Sequence, residues 1–268
     1  MIVHLKFKMM NQENFDYLKN QVKFTGFGDG LENALKEKIN EGQPEFSLQH
    51  NAEYGADKVG STLHFRKSEE TDRYYFNRYE MSLNKDGHEV KQTFFVGKDN
   101  TFTNKEAYNL LDGRAVNKNL VNRDGENYNS WVKLDLNDAE PNGNFKMKHF
   151  HENYGYDVAE ALSKHDLKEL RDNTDKERLI ESLKKGNKQS ITYYHEGEER
   201  KGFAQANPQY KSVKLLDEKG KEVRSSARQS EKQKEQSSAK QKTKQSTGED
   251  DGKKESDKQS RRRGKRVA

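Results

Sequence analysis

A helical apolar pattern that ends at a glycine, followed by short alternating strands, occurs three times along this chain. Apolar residues spaced three and four apart predict helices, and a terminal glycine accepts the left-handed conformation in which helices often end. The three helical stretches are residues 31–42, 105–113 and 176–186, ending at Gly42, Gly113 and Gly186. The pattern predicts an α+β fold built from repeated units, each a helix, a glycine and an antiparallel meander of three or four strands.

Local signals refine the helix starts. Thr103 and Thr174 each stand three residues before a glutamate, the spacing of a capping box. Two further helices are predicted around residues 13–24 and 156–170. The predicted organisation has four parts, which are an N-terminal α+β unit at 1–103, a second with an extra helix at 104–173, a third at 174–224, and a tail at 225–268.

The tail differs from the rest in composition. Residues 225–268 contain Val267 as their single large aliphatic residue and no aromatic residue. Such a segment cannot bury enough apolar surface to offset its chain entropy, which predicts disorder. It holds 14 Lys and Arg against 7 Asp and Glu, a net charge of +7, so the rest of the chain carries −2. The overall charge of +5 therefore belongs to the tail.

Several classes of protein are disfavoured by composition. The chain has no cysteine, which excludes disulfides, thiolate metal sites and cysteine nucleophiles. No run approaches the roughly 18 apolar residues of a membrane span, and the short, basic opening does not resemble a signal peptide. We expect a cytoplasmic protein without a membrane partner.

Catalytic and cofactor motifs are weak. The glycines of "TGFGDGL" precede a helix, but no buried strand comes before them and no G-K-[ST] follows. His149 and His151 share a strand face without a third ligand at a recognisable spacing. We therefore predict a non-enzyme with no cofactor and no metal, and keep a nucleotide- or metal-dependent enzyme as a minor alternative.

The sheet faces carry the functional hypothesis. Strict alternation puts Leu63, Phe65, Tyr75, Tyr79, Met81 and Leu83 inside the first meander, and Val132, Leu134 and Leu136 inside the second. Rings and cations then alternate on the outward faces, as they do where bases stack and phosphates are neutralised. With the cationic end of the tail, the predicted nucleic-acid-binding residues are Arg66, Tyr74, Phe76, Arg78, Trp131, Lys133, Lys146, Lys148, Arg261, Arg262, Arg263, Lys265 and Arg266.

A second interpretation of the same rings remains open. Sheets in repeated units often bury their second face against a neighbour, and rings there are simply core. The net charge of −2 outside the tail favours this interpretation.

The chain resembles a family of uncharacterised proteins, domains of unknown function encoded on conjugative and integrative elements of gut Gram-negative bacteria. The resemblance rests on segments such as "NKEAYNLLDGRAVNKNLVNRDGENYNSWVKLDL", "KHFHENYGYDVAEAL" and "IESLKKGNKQSITY". It implies a role near DNA processing, often beside topoisomerase-like proteins, and supplies no catalytic residue.

The sequence thus predicts a non-catalytic accessory protein of a mobile genetic element. Its candidate partners are DNA or RNA, bound through the tail and the sheet faces, and a topoisomerase-like or other element-encoded protein. The alternative is a protein–protein scaffold that binds no nucleic acid.

Overall fold

The structure is a computed structural model that describes residues 11–85, 87–195 and 197–223. The predicted disorder of 225–268 and the predicted contacts of Arg261, Arg262, Arg263, Lys265 and Arg266 lie outside the described residues.

The helices follow the predicted pattern closely. Within the described residues the α-helices are α1 (Gln12–Val22), α2 (Glu32–Glu41), α3 (Asn104–Leu111), α4 (Val158–Ser163) and α5 (Asn173–Lys184). α1 continues into a π-helical turn, Lys23–Phe27, which is kinked at Gly26, whose φ is 94°, and ends at Gly28. In the described parts of the chain, no helix is long and apolar enough to cross a membrane.

Two helix predictions need correction. The helix expected over 156–170 breaks after α4, because Leu167 forms an extended β-bridge with Tyr193; only a 3₁₀ turn, Lys168–Leu170, follows. At α5 the cap is Asp172 rather than Thr174, since the Asp172 side chain accepts the backbone N–H of Asp175. The capping box of Thr103 and Glu106 is confirmed.

The strands form three antiparallel meanders, so the α+β class is confirmed. The first sheet has the order β1-β2-β3-β4, the second β5-β6-β7 and the third β8-β9-β10. Their bounds are β1 (Glu45–Tyr54), β2 (Asp57–Lys67), β3 (Tyr74–Lys85), β4 (His88–Phe95), β5 (Val116–Val121), β6 (Asn127–Ala139), β7 (Phe145–His151), β8 (Gln189–His195), β9 (Glu198–Asn207) and β10 (Ser212–Asp217). Leu136, predicted to be buried, is 37% exposed, because the β6–β7 pairing is irregular between Asp135 and Ala139.

Buried side chains gather in two hydrophobic clusters. The first hydrophobic cluster joins one face of the first sheet, helices α1 to α3, and Val132 and Leu134 of β6. The second joins Trp131 of the same strand, helices α4 and α5, and one face of the third sheet. Helix α3 touches the first two sheets and α5 touches the second and third. Apolar packing therefore crosses the predicted unit boundaries at 103/104 and 173/174.

Asparagine side chains replace strand pairing at two points. The Asn14 amide accepts the Tyr74 N–H at 2.7 Å and donates to the Tyr74 carbonyl at 2.9 Å. The Asn100 amide does the same for Val121, at 2.7 and 2.8 Å. A primary amide has the donor and acceptor of a peptide group, so each side chain satisfies a backbone pair that no strand reaches.

A polar junction connects the start of the second sheet to the end of α5. The buried Asn109 amide donates to the Lys185 carbonyl at 2.6 Å and accepts from Arg114 at 2.6 Å. Arg114 also pairs with Asp112. Next to them Gly186, at φ +79°, leaves no room for a side chain, because an added Cβ would lie 2.8 Å from a Val116 methyl and 2.9 Å from the Ala115 carbonyl oxygen.

We expect Gly186→Ala to destabilise the full-length protein more than Gly42→Ala. Both glycines end helices at nearly the same positive φ, so both substitutions incur about 1–2 kcal/mol of left-handed strain. Only at Gly186 does the new methyl meet neighbours, which adds about 1–3 kcal/mol of overpacking. Urea unfolding measures the difference, and equal losses in the two variants would refute close packing at this junction.

Candidate nucleic-acid interface

The pairing of β2 with β3 contains a bulge that decides which rings face water. His64 pairs with Arg78 and Phe65 pairs with Phe76, so Asn77 is an extra residue on β3. Each extra residue reverses the alternation of the strand. Residues of β3 before Asn77 therefore face the side opposite to the one that strict alternation predicts.

The predicted exposure of Tyr74 and Phe76 is consequently wrong. Both side chains are 2% exposed and lie in the first hydrophobic cluster, where the Phe76 ring stacks on Phe65 with centroids 4.9 Å apart. Tyr75, predicted to be buried, is 48% exposed. These two corrections have the same cause, which is the single extra residue.

Trp131 is also buried rather than available for stacking. It is 5% exposed and lies in the second hydrophobic cluster, with its ring edge-on to Tyr156 at 5.2 Å. The outward face of the second sheet is thus a packing face at this position, because helices and the third sheet cover it.

Lys133, Lys146 and Lys148 lie on the same face of the second sheet as Trp131, in the rows that follow it. Lys146 pairs with Asp138 at 2.8 Å and Lys148 with Asp135 at 2.5 Å, and both lysines are exposed. Lys133 is half-buried. The structure therefore separates these cations from Arg66 and Arg78, which are on the first sheet.

The solvent face of the first sheet brings a different set together. Arg66 of β2 is the cross-strand partner of Tyr75 on β3. In the next row, His64 of β2 is the partner of Arg78 on β3, which is in turn the partner of Phe95 on β4. The Phe95 side chain is 70% exposed. We call this group the ring–arginine patch, and its members are His64, Arg66, Tyr75, Arg78 and Phe95.

The two arginines of the patch differ in their partners. Arg66 contacts Glu69 at 2.9 Å and Glu45 at 3.6 Å, exposed ion pairs worth about 0–1 kcal/mol each. The Arg78 guanidinium has no ion pair or hydrogen bond to any residue that the structure describes. Its donors are therefore open to an incoming acceptor.

His64 lies between these charges on β2. Burial lowers its pKa, and the neighbouring Arg78 lowers it further, while Glu80 and Glu45 act in the opposite direction. At neutral pH the imidazole is thus kept uncharged, so it can stack as a ring or accept a hydrogen bond.

An open depression of about 360 Å³ lies at this end of the face, lined by His64, Arg66, Asn77 and Arg78 together with Glu45 and Ser47. It offers amide, hydroxyl, imidazole and guanidinium groups, and the Glu45 carboxylate, beside two exposed rings. Such a surface can stack flat π systems and bind phosphate or carboxylate oxygens.

Sequence reasoning missed Tyr75 and Phe95 as site residues. The signal for Tyr75 is the adjacent polar pair Asn77–Arg78, which interrupts the alternation of apolar residues in "YYFNRYEMSL". Phe94 and Phe95 are adjacent on β4, so one of them must face outward, but only the register shows which one.

No family model, curated protein or solved structure matches this chain. The resemblance to proteins of conjugative and integrative elements therefore stays a prediction. Across the residues that the structure describes, no three His, Asp or Glu side chains are grouped so as to hold a metal ion. The rings of His149 and His151 stack with centroids 6.0 Å apart at the β7 edge.

We expect Phe76→Ala to destabilise the protein far more than Phe95→Ala does. Truncating the buried Phe76 removes a stacked core ring and should cost about 3–5 kcal/mol of unfolding free energy. Truncating the exposed Phe95 should change it by about 0.5 kcal/mol or less. Denaturant unfolding of the two full-length variants tests the assignment, which would be wrong if Phe95→Ala were the more damaging.

Proposed function

We propose that this protein is a non-catalytic binding protein that holds single-stranded nucleic acid on the ring–arginine patch. The observation that carries the proposal is the pairing of two exposed rings, Tyr75 and Phe95, with Arg66 and Arg78 on the solvent face of one antiparallel sheet. The five cations Arg261, Arg262, Arg263, Lys265 and Arg266 would add attraction to the phosphate backbone.

Single strands suit the patch better than duplexes. Bases in a single strand expose their flat faces, whereas a duplex hides them in its stack. Tyr75 and Phe95 offer two stacking positions, each worth about 1–3 kcal/mol. Arg78 is the cross-strand partner of Phe95 and lies one row from Tyr75, where its free guanidinium can reach a phosphate or a base edge.

The charge of the patch predicts a modest dependence on salt. Two arginines facing phosphates give a slope of log affinity against log salt of about −1.4 for a single strand, and Glu45 and Glu69 compete for one of them. Five tail cations on phosphates would give a slope of about −3.5. Salt titration therefore distinguishes contact by the patch from contact by the tail.

A protein–protein scaffold is the second candidate, and the same exposed groups support it. Tyrosine and arginine are enriched at the centres of protein interfaces, and acidic side chains surround this patch. A partner that buries Tyr75 and Phe95 would use the same residues without any nucleic acid.

The proposed setting is a mobile genetic element and the cytoplasm of its host, with a topoisomerase-like or other element-encoded protein as partner. The sequence resemblance supports this setting. We also propose that the three units diverged from one ancestor, because each sheet is preceded by a helix that ends near a left-handed glycine, Gly42, Gly113 or Gly186.

We expect Tyr75→Ala and Phe95→Ala to weaken binding of the full-length protein to single-stranded DNA by about tenfold each, since about 1.4 kcal/mol of stacking corresponds to a factor of ten. Fluorescence anisotropy with a labelled strand of about 12 nucleotides, within the usual site size, measures the effect. Arg78→Gln should weaken binding and make the salt slope shallower by about 0.7.

The matched controls are Tyr17→Ala and Phe24→Ala, exposed rings on the N-terminal helical segment rather than on the sheet. They should bind like the unchanged protein. Equal losses of affinity in controls and patch variants would contradict the proposal. So would a loss of binding when the five cations within residues 261–266 are changed to glutamine, if the patch variants bind like the unchanged protein. Capture of an element-encoded protein that needs Tyr75 and Phe95, with no nucleic-acid binding, would establish the scaffold instead.

A further inference from the structure

The depression on the first sheet has a carboxylate at one side and a guanidinium at the other. Glu45 of β1 is the cross-strand partner of Arg66 on β2. In the next row, Ser47 of β1 is the partner of His64, which is in turn the partner of Arg78 on β3. Glu45 and Arg78 are therefore two strands apart, about 10 Å across the sheet. Both line the same space of about 360 Å³.

Glu45 is the carboxylate that Arg66 depends on least. Arg66 contacts Glu69 at 2.9 Å but Glu45 only at 3.6 Å, which is longer than a charge-assisted hydrogen bond. The Glu45 side chain is 70% exposed. Arg66 therefore keeps a partner when Glu45 turns toward a ligand. Of the two carboxylates, Glu45 lines the depression and Glu69 does not.

Arg78 supplies the opposite chemistry. Its guanidinium carries five N–H donors in a planar fork, and none of them is used by a residue within 11–85, 87–195 or 197–223. Such a fork binds best to two adjacent acceptor atoms. The exposed Phe95 ring is the cross-strand partner of Arg78, so a flat ligand can stack beside the fork.

Among the nucleic-acid bases, guanine matches this pair of groups best. Its O6 and N7 are adjacent acceptors that suit an arginine fork, and its N1–H and N2 amino group are adjacent donors that suit a carboxylate. Adenine places an amino donor beside N7, where the arginine donors would meet it. Thymine and uracil have no amino group. Cytosine has one amino group beside its acceptors, so it offers the carboxylate one hydrogen bond instead of two.

We propose that the depression selects guanine in the bound single strand. Glu45 accepts hydrogen bonds from N1–H and the N2 amino group, Arg78 donates to O6 and N7, and the rings of Tyr75 and Phe95 stack on bases. This inference rests on the proposed function, because it names the base that the ring–arginine patch prefers. In a strand without guanine, Arg78 stays available to a phosphate.

Fluorescence anisotropy with four labelled strands tests the preference. Each strand is a thymine strand of about 12 nucleotides whose central position is guanine, cytosine, adenine or thymine. A single guanine keeps the strands from associating with one another. The full-length protein should bind the guanine strand about tenfold more tightly than the thymine strand. Phosphate contacts carry no base information, so the ratio of affinities at one salt concentration reports on base contacts alone.

Base analogues test the two edges of guanine separately. Inosine lacks the N2 amino group and should weaken the contact with Glu45. The analogue 7-deazaguanine has carbon in place of N7 and should weaken the contact with Arg78. Each should lose part of the preference, because each removes one atom of the proposed contacts while leaving a purine ring to stack.

Glu45→Ala should remove most of the preference for the guanine strand. The matched control is Glu69→Ala, which also removes one carboxylate from Arg66 but none from the depression, and it should keep the preference. Arg78→Lys should lower the preference too, because lysine keeps the positive charge but has no fork.

The outcomes separate this inference from the proposed function. Equal affinity for all four strands, with binding that still needs Tyr75 and Phe95, would overturn the guanine preference and leave the proposed function standing. A preference that survives Glu45→Ala, or that Glu69→Ala removes equally, would also overturn it, as would cytosine bound as tightly as guanine. No binding to any strand would overturn both proposals.

Discussion

The second sheet packs on both of its faces, and the rest of the fold depends on this. Val132 and Leu134 enter the first hydrophobic cluster, while Trp131, the residue just before Val132 and so on the opposite face, enters the second. Only 29% of the chain is apolar, so three separate sheets could hardly each fill a core of their own. Sharing one strand between two clusters gives three sheets with two cores, and helices α3 and α5 each contact the sheets on both sides.

Side-chain amides complete what the sheets leave unpaired. Asn14 ties α1 to the start of β3, and Asn109 ties the end of α3 to the end of α5. The buried Gln92 of β4 accepts the Phe145 N–H at 2.8 Å and so joins the first sheet to the second. In a chain this polar, hydrogen-bonded amides take over part of the connecting role that apolar contacts have in most domains.

Charge and rings are distributed unevenly over the surface. On the first sheet, the bulge at Asn77 turns Tyr75 toward water beside Arg66, and β4 adds Phe95 beside Arg78. On the second sheet the ring is buried and the lysines remain, with Lys133 and Lys148 opposed. The exposed rings of the first sheet and the opposed lysines of the second therefore lie on different sheets.

The sequence alone determined the α+β class and the three helices ending near Gly42, Gly113 and Gly186. It also determined the buried residues from Leu63 to Leu83, apart from Tyr75. These features follow from periodicity and turn chemistry, which are local. It also placed Arg66 and Arg78 on one exposed face. Only the tertiary structure decided that Tyr74, Phe76 and Trp131 are core. One extra residue at Asn77 reverses a strand's faces, and a neighbouring sheet covers Trp131; both depend on partners distant in sequence, which alternation within a strand does not encode.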